Sequence, residues 1–354
     1  MISICMIVKN ESKVLEKSLE SIKDYNFEII IVDTGSSDNT KEIARKYTDK
    51  VYDFKWCNDF SQARNFSISK AANDFVLVLD ADEVIIDIDL KQIEKLINKN
   101  SEKVGRIIIK NEYYRDGNKF TYKEYVNRLF NKNLFIYKGL IHEQVTTQNG
   151  KLFRTYNLPL EIHHIGYNNE EITRKNKIIR NIEMLKEALR ENSEDPYIYY
   201  QLGKSYYMND NFKEAKYNFE TALSFNLDTK FEYVQDLIET YGYALINTGD
   251  YKKALDVLQY EKYFENSSDF IFLQALVFMN NGLFDMAVNS FKKATCFKTS
   301  KMEGVNSYLA YYNLGVIYEC LGMLSEAIYY YNLCGDFNMA KNRLNNLIAN
   351  NEVI

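Results

Sequence analysis

Proline is nearly missing from this sequence: its 354 residues hold two, Pro159 and Pro196. The long stretch that follows Pro196 can therefore run as helix with little interruption. Cysteine is sparse and unpaired in pattern. Cys5, Cys57, Cys296, Cys320 and Cys334 make an odd count without a CxxC spacing, which implies reduced, mostly buried thiols in a cytoplasmic protein and argues against a cysteine nucleophile. A basic excess is absent too. The net charge of −5 gives no reason to expect nucleic acid as a partner, and it leaves bound phosphates to a metal ion or to local Arg and Lys. No apolar run is long enough to span a bilayer, so a membrane-held substrate would be met from the surface. The opening run Ile2 to Val8 has neither a basic leader nor a small-residue cleavage site, and it reads as a buried strand rather than a signal peptide. The glycine-rich dinucleotide fingerprint is also missing, which argues against a nicotinamide dehydrogenase.

What is present changes character once. At 46% apolar and 26% charged residues, both halves can build cores, and the length fits two domains or one domain plus a repeat array. The first half alternates strand and helix patterns. Ile2–Val8 is a continuous apolar run; Leu15, Leu19 and Ile22 recur at helical spacing; Phe27–Val32 is a second strand. Thr34-Gly35-Ser36-Ser37-Asp38 breaks it, with a sharp turn at Gly35, and a short helix follows through Ile43, Ala44 and Tyr47. Val51–Phe54 is a third strand, Asp59 or Ser61 caps a helix through Ala72, and Phe75–Leu79 is a fourth strand. This alternation predicts a mostly parallel sheet. From Val104 the pattern loosens into short aromatic strands, with a turn expected at Arg115–Asn118, up to about Tyr167.

From about Glu170 the chain reads as helix, and a unit repeats within it. Leu202-Gly203, Tyr206, Ala215, Phe219 and Ala222 recur at identical spacing as Leu314-Gly315, Tyr318, Ala327, Tyr331 and Cys334. Tyr241-Gly242, Leu245, Ala254 and Leu258 form a further copy, and Gln274-Ala275, Phe278, Ala287, Phe291 and Ala294 another. The series resembles the tetratricopeptide repeat over roughly 196–340, small residues admitting close helix pairs and large ones filling the groove.

The acidic run Asp80-Ala81-Asp82-Glu83 follows the most apolar strand, and Asp33 ends another. In an open parallel sheet, ligands bind beyond the carboxyl ends of strands. Asp33, Asp80 and Asp82 should face one crevice, where mutual repulsion favours a hard divalent cation, Mn²⁺ or Mg²⁺. Such an ion would also neutralise a departing diphosphate. Phosphatases of the haloacid dehalogenase type carry Asp-x-Asp as well, but on their first strand, whereas here three strand units come first.

Four motifs in order complete the pattern: Met6-Ile7-Val8-Lys9-Asn10-Glu11, Ile31-Val32-Asp33-Thr34-Gly35-Ser36-Ser37-Asp38-Asn39-Thr40, Phe60-Ser61-Gln62-Ala63-Arg64-Asn65, and Leu79-Asp80-Ala81-Asp82-Glu83. Together they make the N-terminal half resemble family 2 glycosyltransferases of the GT-A fold. The resemblance implies an α/β GT-A nucleotide-diphospho-sugar transferase domain over 1–167, a connecting helix over 168–195 and an all-α tetratricopeptide superhelix over 196–354. It implies a UDP-sugar donor held by Val8, Asn10, Glu11, Asp33, Arg64, Asp80, Ala81 and Asp82. Glu11 and Asp33 would hold uracil and ribose, Arg64 would lie beside the nucleotide or its phosphates, and Asp80 would meet ribose or metal-bound water. Asp82 would bind the metal directly.

Arg128-Leu129-Phe130 and Gly139-Leu140-Ile141-His142-Glu143 resemble the acceptor side of a bacterial subgroup. An inverting transfer needs one general base near the acceptor. Glu143 is the first candidate, and His142 the first additional metal ligand. His164 can replace His142, and His163 stands next to it. A transferase joined to a repeat array looks similar to bacterial enzymes that glycosylate peptides or proteins, which implies a glucosyl or N-acetylglucosaminyl transfer to such an acceptor. A saccharide or lipopolysaccharide acceptor, a self-associating homodimer, and a scaffold with an inactive transferase domain are the alternatives.

Overall fold

Strand β1 (Ile2–Val8) is apolar on both faces, and the structure shows why. In the computed structural model, which describes residues 1–115, 118–165 and 171–351, β1 lies inside an eight-stranded sheet of order β3-β2-β1-β4-β7-β6-β10-β5. The strands are β2 (Glu28–Asp33), β3 (Val51–Asp53), β4 (Phe75–Asp80), β5 (Glu83–Ile88), β6 (Val104–Arg115), β7 (Asn118–Asn131) and β10 (Thr155–His164). Two more, β8 (Phe135–Lys138) and β9 (Gln144–Thr147), pair separately. The pairs β1–β2, β1–β4, β2–β3 and β6–β10 are parallel, whereas β4–β7 and β5–β10 are antiparallel. The mostly parallel sheet expected from the alternation is present.

Alternation along each strand divides the core. Ile4, Met6, Ile31, Leu77 and Leu79 face one side, where Leu15 and Leu19 of α1 (Leu15–Glu20) cover them. Cys5, Ile30, Val32, Val76 and Val78 face the other, against Ile68 of α3 (Phe60–Ser69). Burial pushes the Cys5 thiol up to about 12, so it is packing, not a nucleophile. Between α1 and α3 in the chain comes α2 (Thr40–Arg45). The sequence pattern passed over two elements between Leu79 and Val104: β5, and α4 (Leu90–Lys99), which Asp89 caps by accepting from the Gln92 N–H at 3.0 Å and which buries Ile93 and Ile97. The turn expected at Arg115–Asn118 centres on residues 116–117, and the boundary expected at 167/168 falls within 166–170; both lie outside the described residues. The chain divides into one unit of Met1–Tyr113 with Thr121–Glu191, which includes α5 (Glu171–Glu191), and a second of Asn192–Ile354 with Tyr114–Phe120.

Beyond its strand segment, the second unit is built of helices joined by turns and short loops over the described residues 192–351. Its helices are α6 (Pro196–Met208), α7 (Phe212–Leu223), α8 (Glu232–Asn247), α9 (Tyr251–Ala254), α10 (Glu261–Phe264), α11 (Ser268–Asn280), α12 (Phe284–Ala294), α13 (Tyr308–Cys320), α14 (Leu324–Leu333) and α15 (Asn338–Asn351), with a 3-10 segment over Leu255–Tyr260. The small positions of the repeat are as tight as their spacing predicts. A Cβ on Gly203 would stand 2.5 Å from the Phe219 ring, and one on Gly315 would stand 2.5 Å from Tyr331. Each first helix also ends the same way. Asp210, Gly249, Gly282 and Gly322 take positive φ. The next residue's N–H then reaches back to the carbonyl of Tyr206, Leu245, Phe278 or Tyr318, at 2.9 to 3.0 Å. This is the Schellman closure, in which a left-handed residue lets the chain satisfy the last helical carbonyls and turn back. Among the described residues no helix is long and apolar enough to cross a membrane.

Candidate active site

Register brings the expected residues to one edge of the sheet. In the parallel ladder Val8 pairs with Asp33 and Ile7 with Asp80, so β1, β2 and β4 end in a row. The loops beyond β1 and β2 are braced together. Asn10, at φ 55°, accepts at Oδ1 from the Ser37 N–H (2.8 Å) and donates its own N–H to Ser36 Oγ (2.9 Å). The Glu11 N–H donates to Thr40 Oγ1 (2.8 Å), and the Thr34 N–H to the Val8 carbonyl (2.9 Å). Asp33 is buried; its Oδ1 accepts from the N–H groups of Gly35 and Ser36, both at 2.9 Å, with Gly35 at φ 105°. Its Oδ2 is buried and has no hydrogen-bond partner among the described residues.

Helix α3 supplies the cation. Asp59 caps it by accepting from the Gln62 N–H at 3.0 Å. The Phe60 N–H donates to the Leu140 carbonyl (2.9 Å), while the Asn65 side chain bonds the Tyr137 backbone in both directions at 2.9 Å. These contacts fix the β8–β9 loop against α3, and they set Arg64 between two carboxylates. Arg64 donates through Nε to Glu143 Oε1 and through an Nη to Asp80 Oδ1 at 2.7 Å. Arg128, from β7, donates to Asp80 Oδ2 at 2.8 Å and to Glu83 Oε1 at 2.9 Å. Glu83 Oε2 accepts the Asp80 N–H at 2.8 Å, so the acidic run folds back on itself.

Charge follows from this packing. Burial alone would raise the Asp80 carboxyl, but the Arg64 and Arg128 guanidiniums override it and hold Asp80 well below the usual carboxylate range. Burial pushes Glu83 above its ordinary value against the pull of Arg128, with Asp80 adding to the rise. Glu11 is pushed up to about 6, first by burial, against the pull of Lys177, with Asp82, Asp38 and Asp80 adding to it. Lys177 Nζ lies 3.9 Å from Glu11. Asp80 is thus neutralised within the chain, by two guanidiniums.

Asp82 takes a different partner, His164. Its Oδ2 lies 3.2 Å from His164 Nε2, and the other ring nitrogen of His164 lies 2.9 Å from Asn111 Oδ1. Strand register explains the meeting: on β10, His164 is level with Glu83 of β5 on one side and Asn111 of β6 on the other. Burial pulls the His164 pKa down, but the Asp82 hydrogen bond and the surrounding carboxylates raise it overall. Among the described residues no three His, Cys, Asp or Glu side chains are arranged to hold a metal ion. A carboxylate–imidazole pair still fits a hard cation that completes its shell with phosphate and water oxygens. His142 lies at φ 51° beside Glu143, its carbonyl accepting from Gln144 Nε2 at 3.1 Å. His163 points elsewhere, to Glu112 Oε2 at 3.3 Å. Ala81 is buried between Asp80 and Asp82.

The sequence reading placed Arg128 on the acceptor side and left Glu83, Asn111 and Lys177 without a role. Glu83 belongs to the acidic run and Arg128 to Arg128-Leu129-Phe130, so a signal existed for those two.

A mostly parallel sheet with arginine-held carboxylates at its strand ends makes up the N-terminal unit, and helical repeats follow it. Residues 3–174 match the family model for glycosyl transferase family 2, and the N-terminal unit is a family 2 glycosyltransferase domain of GT-A type. Among relatives, the SPbeta prophage-derived glycosyltransferase SunS of Bacillus subtilis is 32% identical over 213 residues, 59% of this chain and 50% of that protein. A TPR repeat-containing protein of Synechococcus elongatus is 30% identical over 57% of this chain and 51% of its own length. The chain therefore spans about half the length of these curated relatives. The helical half is similar to the solved TPR protein YrrB, at 24% identity and a TM-score of 0.41, over 49% of this chain and 87% of that one.

Proposed function

We propose that this chain is a metal-dependent, inverting glycosyltransferase that moves a sugar, glucose or N-acetylglucosamine, from a UDP-sugar to a peptide or protein acceptor. The observation that carries the reading is the bridge from Asp80 through Arg64 to Glu143, next to the Asp82–His164 pair. Arg64 would thereby serve the donor side and the acceptor side at once.

Each part then has work to do. The buried, unmatched Asp33 Oδ2 offers an acceptor for an N–H or hydroxyl of the nucleoside, and Glu11 lies on the same rim. Asp82 and His164 would hold the divalent ion, Mn²⁺ or Mg²⁺, which would take up charge on the leaving diphosphate. Asp80 holds Arg64 and Arg128 in place rather than presenting a bare carboxylate. In the transfer, the acceptor heteroatom bonds to the anomeric carbon, the bond from that carbon to the diphosphate oxygen breaks, and UDP leaves with the electron pair. The acceptor proton passes to Glu143, whose orientation Arg64 fixes through Nε. Repeat arrays generally present an extended concave surface, and an acceptor peptide held on one here would be raised in local concentration.

A panel of UDP-sugars, scored for slow hydrolysis with Mn²⁺ and with chelator, tests the reading without an acceptor in hand. One sugar should be hydrolysed in a metal-dependent way, and Asp82→Ala should abolish it. Full activity in Asp82→Ala, or no metal-dependent UDP binding by the intact chain, would overturn the assignment.

A further inference from the structure

The environment behind His164 is more specific than a metal site alone requires. Asn111 is almost fully buried, and its side chain is committed at both ends. Its amide nitrogen donates to Glu124 Oε1 at 2.9 Å, and its oxygen lies 2.9 Å from His164 Nδ1. A carboxylate only accepts, so the amide NH₂ must face Glu124 and the amide oxygen must face the imidazole. That oxygen also only accepts, so Nδ1 must carry a proton. Nε2, 3.2 Å from Asp82 Oδ2, also faces an acceptor, so without a cation it donates to Asp82; with Nδ1–H held by Asn111, the Nε2 proton is the one a cation would displace. Free imidazole side chains favour the opposite tautomer, with the proton on Nε2, which would turn an N–H toward the cation.

We propose that Asn111, oriented by Glu124, is a positioning residue that holds His164 in its Nδ1–H form, so that Nε2 and Asp82 Oδ2 together make a two-donor seat for a divalent cation. The seat rests on the metal-dependent reading above; the tautomer relay does not. The three residues come from three strands, β6, β7 and β10, so the relay is a property of the sheet and not of a local motif. Hydrogen bonding behind a ligating imidazole commonly governs ring orientation and ligand basicity, and its loss typically costs about 10–100-fold in metal affinity.

The test uses the full chain and two readouts. Long-range ¹H–¹⁵N spectra at alkaline pH, assigned with His164→Gln, give the tautomer without any metal. Titration of Mn²⁺ into the UDP-saturated protein gives the affinity. Wild type should show Nδ1–H. Asn111→Leu should shift the ring toward Nε2–H and weaken Mn²⁺ by roughly 10–100-fold. Glu124→Gln, at an exposed position, should weaken it less, because the Asn111 amide is then free to turn over. Asn111→Asp combined with Glu124→Gln should recover both the tautomer and the affinity, since a carboxylate at position 111 needs no fixed amide orientation and the new amide at position 124 can donate to it. A wild-type ring protonated on Nε2 alone, or a double variant no better than Asn111→Leu, overturns the relay. A wild-type Nδ1–H ring that Asn111→Leu loses, in a protein that fails to bind Mn²⁺ with UDP, upholds the relay and sinks the metal reading instead.

Discussion

Replacing Glu11 by Gln should stabilise the N-terminal unit at neutral pH, although Glu11 belongs to the proposed nucleoside site. Burial and the negative charges of Asp82, Asp38 and Asp80 raise its carboxyl from 4.5 to about 6, despite Lys177. A raised acid pKa means that the folded protein binds the proton more tightly than the unfolded chain does. Below pH 4.5 the group is protonated in both states and carries no penalty. As pH rises from 4.5 through 6 the unfolded chain gives up its proton first, and stability falls; above about 6 the full cost is present. At about 1.4 kcal/mol per pKa unit, the rise from 4.5 to about 6 corresponds to about 2 kcal/mol. The assay is built into the chain. Its single tryptophan, Trp56, lies in the N-terminal unit, edge-on to Phe60 at 4.8 Å with its N–H donated to Asn58 Oδ1 at 2.8 Å. Urea unfolding followed by Trp56 fluorescence reports this unit without the repeats. At pH 7.5, Glu11→Gln should move the midpoint up by roughly 1 M, and the difference should vanish by about pH 4. Equal midpoints at both pH values, or a less stable variant at pH 7.5, would refute the reasoning and leave Glu11 an ordinary solvated carboxylate.

Other expectations follow from the same geometry. Arg128→Met strips Glu83 of its counter-ion where the carboxyl is buried, and should cost about 3–5 kcal/mol in Trp56-detected unfolding; adding Glu83→Gln should recover part of it. Glu143→Gln should keep UDP binding within a few-fold yet cut transfer by about 10²–10⁴, measured with a peptide acceptor and metal present. Gly203→Ala drives a methyl into the Phe219 ring and should destabilise the repeats by about 1–3 kcal/mol. Circular dichroism should register that loss while the Trp56 transition stays put, and Phe219→Leu in the same background should relieve it.

How far the sequence speaks depends on where each contact is encoded. β1, β2 and β4 are continuous apolar runs, because helices cover both faces, and such runs need no partner to be recognised. Gly203 and Phe219, or Gly315 and Tyr331, lie on adjacent helices of one repeat, so spacing alone pairs them. Arg128 differs. It reaches Asp80 because β7 pairs antiparallel with β4, Leu129 against Leu77, and no local pattern states that partnership. Asn111 meets His164 through a β6–β10 pairing whose register shifts between Asn157 and Glu161, which no spacing argument anticipates. The acidic run itself looked like bare carboxylates in need of a cation. Its neutralisation by Arg64 and Arg128 arises from tertiary packing of α3 and β7.

The lattice of bonds joining Asn10 to Ser36 and Ser37, Glu11 to Thr40, and Asp33 to Gly35 and Ser36 also bears on affinity. A mobile rim would lose conformational freedom on meeting a nucleotide, at about 0.5–1.5 kcal/mol for each side chain frozen. Here that entropy is surrendered during folding, before any guest arrives. Small changes such as Ser36→Ala or Thr40→Ala, which loosen the lattice at residues outside the proposed donor contacts, should therefore weaken nucleotide binding through a more unfavourable entropy while leaving its enthalpy nearly unchanged.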